Sequence, residues 1–270
     1  MASSNPAFSR NAAFGAPGAV AAGKVLSDSD LQGMFNAPSA GSQETDRMTY
    51  DDTIRKTVLS FVILLAAAAL GWVITPVTMI PLILGAVVGL VLGFVNAFKK
   101  EPSPALILAY AAAEGLFVGG ISVVFEQMYG GVVTQAVLAT LVVVGVTLAL
   151  FASGKVRASK RATKVFMIAM IGYGVFSLIN FGLMAFGANT NAFGLRSADF
   201  MGTGIPFGVI IGLLAVVMAA YSLVLDFDYI QRGVNNRAPR KYGWTGAFGI
   251  MVTVVWLYVE LLRLFAISRN

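Results

Sequence analysis

Seven apolar runs, each near twenty residues and parted by short polar gaps, leave this chain few folds to choose from. They cover roughly residues 57–75, 79–98, 104–125, 132–151, 165–186, 205–225 and 244–265. A bilayer core of about 30 Å is crossed by about 20 residues of helix, rising about 1.5 Å each. Within it every backbone N–H and C=O must be satisfied inside the segment, which runs of this length do by coiling. The gaps carry what lipid excludes: "TPVT", "KKEPSP", "EQMYGG", "SGKVRASKRATK", "GANTNAFGLRSADFMGTG" and "DFDYIQRGVNNRAPRKYG". A soluble chain carries about a quarter of its residues as charges. Here 12% are charged and 57% hydrophobic, with a mean hydropathy of +0.80. The expected fold is an all-α integral membrane protein of seven transmembrane helices, forming one domain over residues 49–270.

The first 48 residues differ. They are rich in Ala, Ser, Gly, Asn and Pro without sustained periodicity, and read as a disordered tail. Its apolar part, "AAFGAPGAVAAG", is broken by Pro17 and three glycines, so a cleaved signal is not expected. "MTYDDTIRKTV" then opens the first helix, with Thr49 or Asp51 as its cap and acidic residues suiting the dipole of its first turn.

Basic residues set the orientation. One side collects Arg47, Arg55 and Lys56; Lys99 and Lys100; Lys155, Arg157, Lys160, Arg161 and Lys164; and Arg232, Arg237, Arg240 and Lys241. The other side has Arg196, Arg269 and, within the last span, Arg263. The positive-inside rule then puts the N-terminus and its tail in the cytoplasm and the C-terminus outside. The net charge of +6 becomes a topology signal. Its expected partners are the lipid bilayer and anionic headgroups at the basic loops, with no nucleic acid. A multi-pass protein of the cell membrane follows.

The chain has no Cys and no His. Disulfides, thiol nucleophiles, haem attachment and zinc sites built on those residues are excluded, as is the usual general base at neutral pH. No lysine lies within the last span, so a Schiff base there is excluded too. No glycine-rich run ends in the Gly-Lys-Ser/Thr of a phosphate loop. Neither an enzyme nor a cofactor is expected.

What remains is a small set of ionisable residues inside the spans, each costing about 2.5–3.5 kcal/mol at a helix centre on insertion scales. Glu114 lies near the middle of the third span among Ala and Gly, placed as a proton- or cation-binding group or as a structural carboxylate. Glu260 and Arg263 are three apart in the last span and share a helical face. Arg263 can snorkel to the outer interface with Glu260, or the two can latch to another helix. Asp226 and Asp228 end the sixth span but point about 200° apart, so only one can face the interior. Glycines at four-residue spacing, Gly85, Gly89 and Gly93 in the second span and Gly204, Gly208 and Gly212 at the sixth, offer grooves for close helix approach. No metal ligand set is certain; Asp228 and Glu114 are the candidate cation ligands.

"YSLVLDFDYIQRG" followed by a last span ending "WLYVELLRLFAIS", with "MTYDDTIRKT" before the first, resembles the Bax inhibitor family in its bacterial branch. The resemblance covers roughly residues 48–268 and implies a bundle with the seventh helix central. It also implies a pH-sensitive calcium leak channel, with calcium or protons as partners. Two aspartates, one near the end of the sixth helix and one in the seventh, are implied to share a proton at the cytoplasmic mouth. The first maps to Asp228, with Gln231 after it; Thr253 stands where the second would be; Arg263 matches the family's arginine, and Glu260 stands where the family often has Asn. Asp226 or Glu114 is then the candidate second charge, or Asp228 hydrogen-bonds Thr253. The working expectation is a gate of Asp228 and Thr253, with an inner polar site of Glu114, Arg263 and Glu260.

Two other functions compete. A proton-coupled transporter of a small solute would need an interrupted helix, and the fifth span, with Gly172, Gly174 and Asn180, is the candidate. A non-transporting regulator of a partner such as a protease would use the N-terminal tail.

Overall fold

A computed structural model describes residues 46–269. The tail expected over residues 1–48 lies, apart from its last three residues, outside them. Seven long helices follow: α1 Tyr50–Ile74, α2 Ile80–Phe98, α3 Pro104–Met128, α4 Val132–Ala152, α5 Lys160–Ala185, α6 Phe207–Asn235 and α7 Gly243–Ile267. Two single turns of 3-10 helix, Gly194–Ser197 and Arg240–Tyr242, precede α6 and α7. All seven helices are long and apolar enough to cross a membrane, and the chain is a multi-pass membrane protein as its apolar runs predict.

The helices outrun the apolar stretches at polar ends. α1 begins at Tyr50 because Thr49 caps it, its hydroxyl accepting from the Asp52 N–H at 3.2 Å. α6 continues to Asn235 through "DFDYIQRGVN". Pro81 and Pro104 sit in first turns, where a missing N–H costs nothing.

α7 is the axis of the bundle. Its apolar window is 56% buried, against 11% for α2 and for α5, and it packs on α1, α3, α4 and α6. One core joins Ala219 and Leu223 of α6 and Val132 and Ala136 of α4 to Leu257, Leu261 and Leu262 of α7. A second joins Leu64 of α1 and Ile107, Tyr110 and Ala111 of α3 to Met251 and Val255 of α7. Outward positions such as Leu65, Leu90, Leu141, Leu178 and Phe181 are exposed. In water such a surface would aggregate; here it is the face toward acyl chains.

Close packing on α3 rests on glycine. A Cβ at Gly119 would overlap the Ala68 carbonyl of α1, and one at Gly85 would lie 2.5 Å from the Phe117 nitrogen of α3. Gly85, Gly89 and Gly93 of α2 thus all turn toward α3. Gly208 and Gly212 seat Ile267 and Leu264 of α7. Gly204 corrects the sixth-span ladder: it lies before α6, at φ +73°, with nothing within 4 Å of an added Cβ. The reason is Pro206, whose extended ψ of 134° holds the chain out of the helix until Phe207. The interrupted fifth helix is corrected likewise, since α5 runs unbroken from Lys160 to Ala185 through Gly172 and Gly174.

The starts of α1, α3, α5 and α7 share one face, called the basic face below; the opposite one is the far face. On the basic face Met48 donates its N–H to Ala238 O at 2.7 Å and packs over Gly233. Asp52 joins Lys56 and, at 2.8 Å, Arg240, tying α1 to the link before α7. Lys241 reaches Glu101 at 2.8 Å.

Candidate functional site

On α6, Ala219, Leu223 and Ile230 are buried at spacings of four and seven residues. Asp226 falls in that register, which aims it at α7. There α7 presents Gly249 and Thr253, four apart and so on one face. Gly249 makes the room: a Cβ there would lie 2.8 Å from Asp226 Oδ1. Thr253, 5% exposed, donates its hydroxyl to Asp226 Oδ2 at 2.7 Å. Ser222, one turn back on α6, lies 3.2 Å from the same hydroxyl. A carboxylate, two hydroxyls and a glycine thus clamp α6 to α7. Among the described residues no cation pairs with Asp226.

This corrects the expected gate. Thr253 is bonded to Asp226, and Asp228 points about 200° away. Asp228 pairs with Arg232 one turn on and shares a cavity on the basic face with Lys160 and Lys164 of α5.

Toward the far face a second polar cluster surrounds Glu260, 2% exposed. Arg263 reaches its Oε1 at 2.5 Å and Arg196 its Oε2 at 3.2 Å, and the Tyr173 hydroxyl donates to Oε1. Arg196 also donates to Tyr173 at 3.0 Å and to Ser177 at 3.2 Å, both on α5. Its guanidinium lies over the rings of Tyr173 and Phe176, at 5.3 and 5.7 Å from their centroids. The turn carrying Arg196 is itself fixed by Asn180 of α5, which accepts from Leu195 N–H at 2.6 Å and donates to Phe193 O at 3.3 Å. The link between α5 and α6 is thereby drawn into the bundle.

Arg196, read from the sequence as an outside loop charge, is 3% exposed. It is the member of the Glu260 cluster that sequence reasoning missed. The available signal was a single basic residue in a link otherwise free of them, opposite an intramembrane Glu that Arg263 alone would leave half-satisfied. Arg263 is also less of a snorkel than expected, since its guanidinium turns back to Glu260.

Glu114 does not join this cluster, which corrects the expected inner site. It faces α2, where a Cβ on Gly89 would lie 2.6 Å from its Oε2, in a cleft with Tyr110 and with Phe248 of α7. Among the described residues no three His, Cys, Asp or Glu side chains converge as a metal site. Asp226, Glu260 and Glu114 instead occupy three separate settings. Hydroxyls hold the first, and two arginines and a phenol hold the second. No described side chain hydrogen-bonds the third.

No curated protein matches the chain. The family model described as "Bax inhibitor 1 like" matches residues 5–270, and a match of that extent shows the family. With seven membrane helices, α7 as their axis, and a carboxylate in the second half of α6 bonded to α7 at Thr253, the chain belongs to the Bax inhibitor 1 like family.

Proposed function

We propose that this protein is a pH-sensitive cation leak channel, passing calcium, in which Asp226 is the protonation switch. The observation that carries the proposal is the 2.7 Å bond from Thr253 to Asp226 between α6 and α7. A hydrogen bond to an ionised carboxylate is about twice as strong as one to a neutral acid. With Asp226 ionised, the Thr253 hydroxyl, with the Ser222 hydroxyl behind it, holds α6 against α7 and the path is shut. Protonation removes the charge, weakens the clamp and lets the two helices part on the basic face. Flux therefore rises as pH falls. A lone aspartate suffices for this, without a second carboxylate at position 253, because the hydroxyl reads the charge directly.

The membrane is the cell membrane, with the basic face and the N-terminal segment in the cytoplasm against anionic headgroups. Membership in the family and the basic excess support that placement. The test is calcium efflux from liposomes containing the purified protein, at a mildly acidic and a mildly alkaline pH. The parent leaks more at the acidic pH. Asp226→Asn, which carries no charge at either pH, leaks at the parent's acidic rate at both. A variant that keeps the parent's pH dependence overturns the switch.

A further inference from the structure

Glu114 takes no part in the clamp or in the Glu260 cluster, and its surroundings are unlike either. None of the ion pairs among the described residues involves it, and no described residue hydrogen-bonds its carboxylate. It lines a cleft of 430 Å³ between α2 and α3, within the size range of small-molecule sites. The floor on α2 is made of small residues one turn apart: Gly89, Gly93 and Ala97. That spacing, read from the sequence as a helix-packing ladder, becomes open space at its basic-face end. A Cβ on Gly85 would strike α3 backbone, whereas one on Gly93 would meet only the Tyr110 ring, at 3.4 Å.

The walls are aromatic. Tyr110 and Phe248 meet edge to face at 5.1 Å between centroids, and Phe117 closes the side next to Glu114. Phe94 and Leu90 of α2 line the cleft yet are 57% and 63% exposed, so it opens toward lipid. No Lys or Arg among the described residues lines it. The ligand chemistry is therefore one negative charge in a greasy aromatic slot reached from the bilayer. Hydrated metal ions are poorly served, since calcium takes about six to eight oxygen ligands and the slot offers one carboxylate and one phenol. An organic cation is well served. It finds a counter-ion in Glu114, ring faces that attract cations, and apolar walls for its substituents.

We propose that the α2–α3 cleft is a binding site for hydrophobic organic cations entering from the membrane, with Glu114 as their counter-ion. The experiment uses the full chain in lipid nanodiscs, with radiolabelled tetraphenylphosphonium as probe and empty nanodiscs to subtract partitioning into lipid. Saturable binding of one probe per chain is expected. Triphenylphosphine oxide, neutral and of similar shape, should not compete. Glu114→Gln should weaken binding by about tenfold or more, as loss of an ion contact in a desolvated site does. Gly93→Leu, which fills the slot beyond the carboxylate, should abolish binding while leaving Glu114 in place, and it decides the matter if Glu114→Gln does not fold. Non-saturable uptake, equal competition by the neutral analogue, or parent-like binding by the folded Glu114→Gln or Gly93→Leu variant would overturn the site.

Discussion

The Glu260 cluster and the Asp226 clamp bury the same functional group in the same bundle, and they compensate it to different degrees. Glu260 has two guanidinium groups and a phenol within reach, drawn from α5, α7 and the link before α6. Asp226 has a threonine, with a serine behind it, all from α6 and α7. Removing a carboxylate from water costs several kcal/mol, which only close counter-charges and complete hydrogen bonding offset. The far-face site meets that standard and fixes the α5–α6 link to the central helix. The basic-face site falls short of it, so a single proton changes what holds it. Full compensation makes a strut; partial compensation is what the proposed switch requires.

The sharpest way to break this contrast is Glu260→Ala. It leaves the buried Arg196 without its counter-charge, and breaking a buried pair from one side costs about 3–5 kcal/mol. Thermal unfolding in detergent should show a larger loss for this variant than for any of those that follow. If Tm hardly moves, the cluster is not a strut. Next is Gly119→Ala, where a methyl group would drive into the Ala68 carbonyl; overpacking of this kind costs about 1–3 kcal/mol, read in the same assay. Asp226→Asn should cost about 1 kcal/mol, the scale of one hydrogen bond, while removing the pH dependence of calcium efflux. Large loss of stability with unchanged pH dependence would exchange the roles of the two sites.

Asp228→Asn comes lower still. Its partner Arg232 is 67% exposed, and pairs of that kind contribute less than about 1 kcal/mol; the pH dependence of flux should survive it. The smallest effect belongs to Glu101, on the link between α2 and α3. The hydrogen bond from Lys241 holds its carboxyl below the ordinary value. Its contribution is therefore present above the unfolded-state value and fades as pH falls through the lower folded one. Glu101→Gln should remove only that acid-side change in Tm.

The fold was legible because membrane crossing turns length and hydropathy into a strict rule, and most helix ends fall within a few residues of the end of an apolar run. The exceptions are polar helix ends such as "DFDYIQRGVN", which hydropathy does not see. The choice between Asp226 and Asp228 was only half legible. Helical geometry requires that one of them face inward; the register of Ala219, Leu223 and Ile230 selects Asp226, whereas matching to the family's motif selects Asp228. Arg196 was illegible by charge counting, because a basic residue in a link looks like a topology signal until the link is seen folded inward. Glu114 stands out by its depth, but its partner helix does not, since spacing along one helix carries no information about which neighbour packs there. The glycines of α2 point to close packing and do not show where that packing ends and the cleft begins.

If Asp226 is the switch, its bond to Thr253 holds α6 to α7 only while the carboxylate is charged. The chain contains no Cys, so spin labels placed by Leu225→Cys and Ile250→Cys report the spacing of these two helices without background. That spacing should widen on acidification in the parent and be already wide, at every pH, in Asp226→Asn. A spacing that ignores pH in the parent, or that still responds to pH in Asp226→Asn, would contradict the switch.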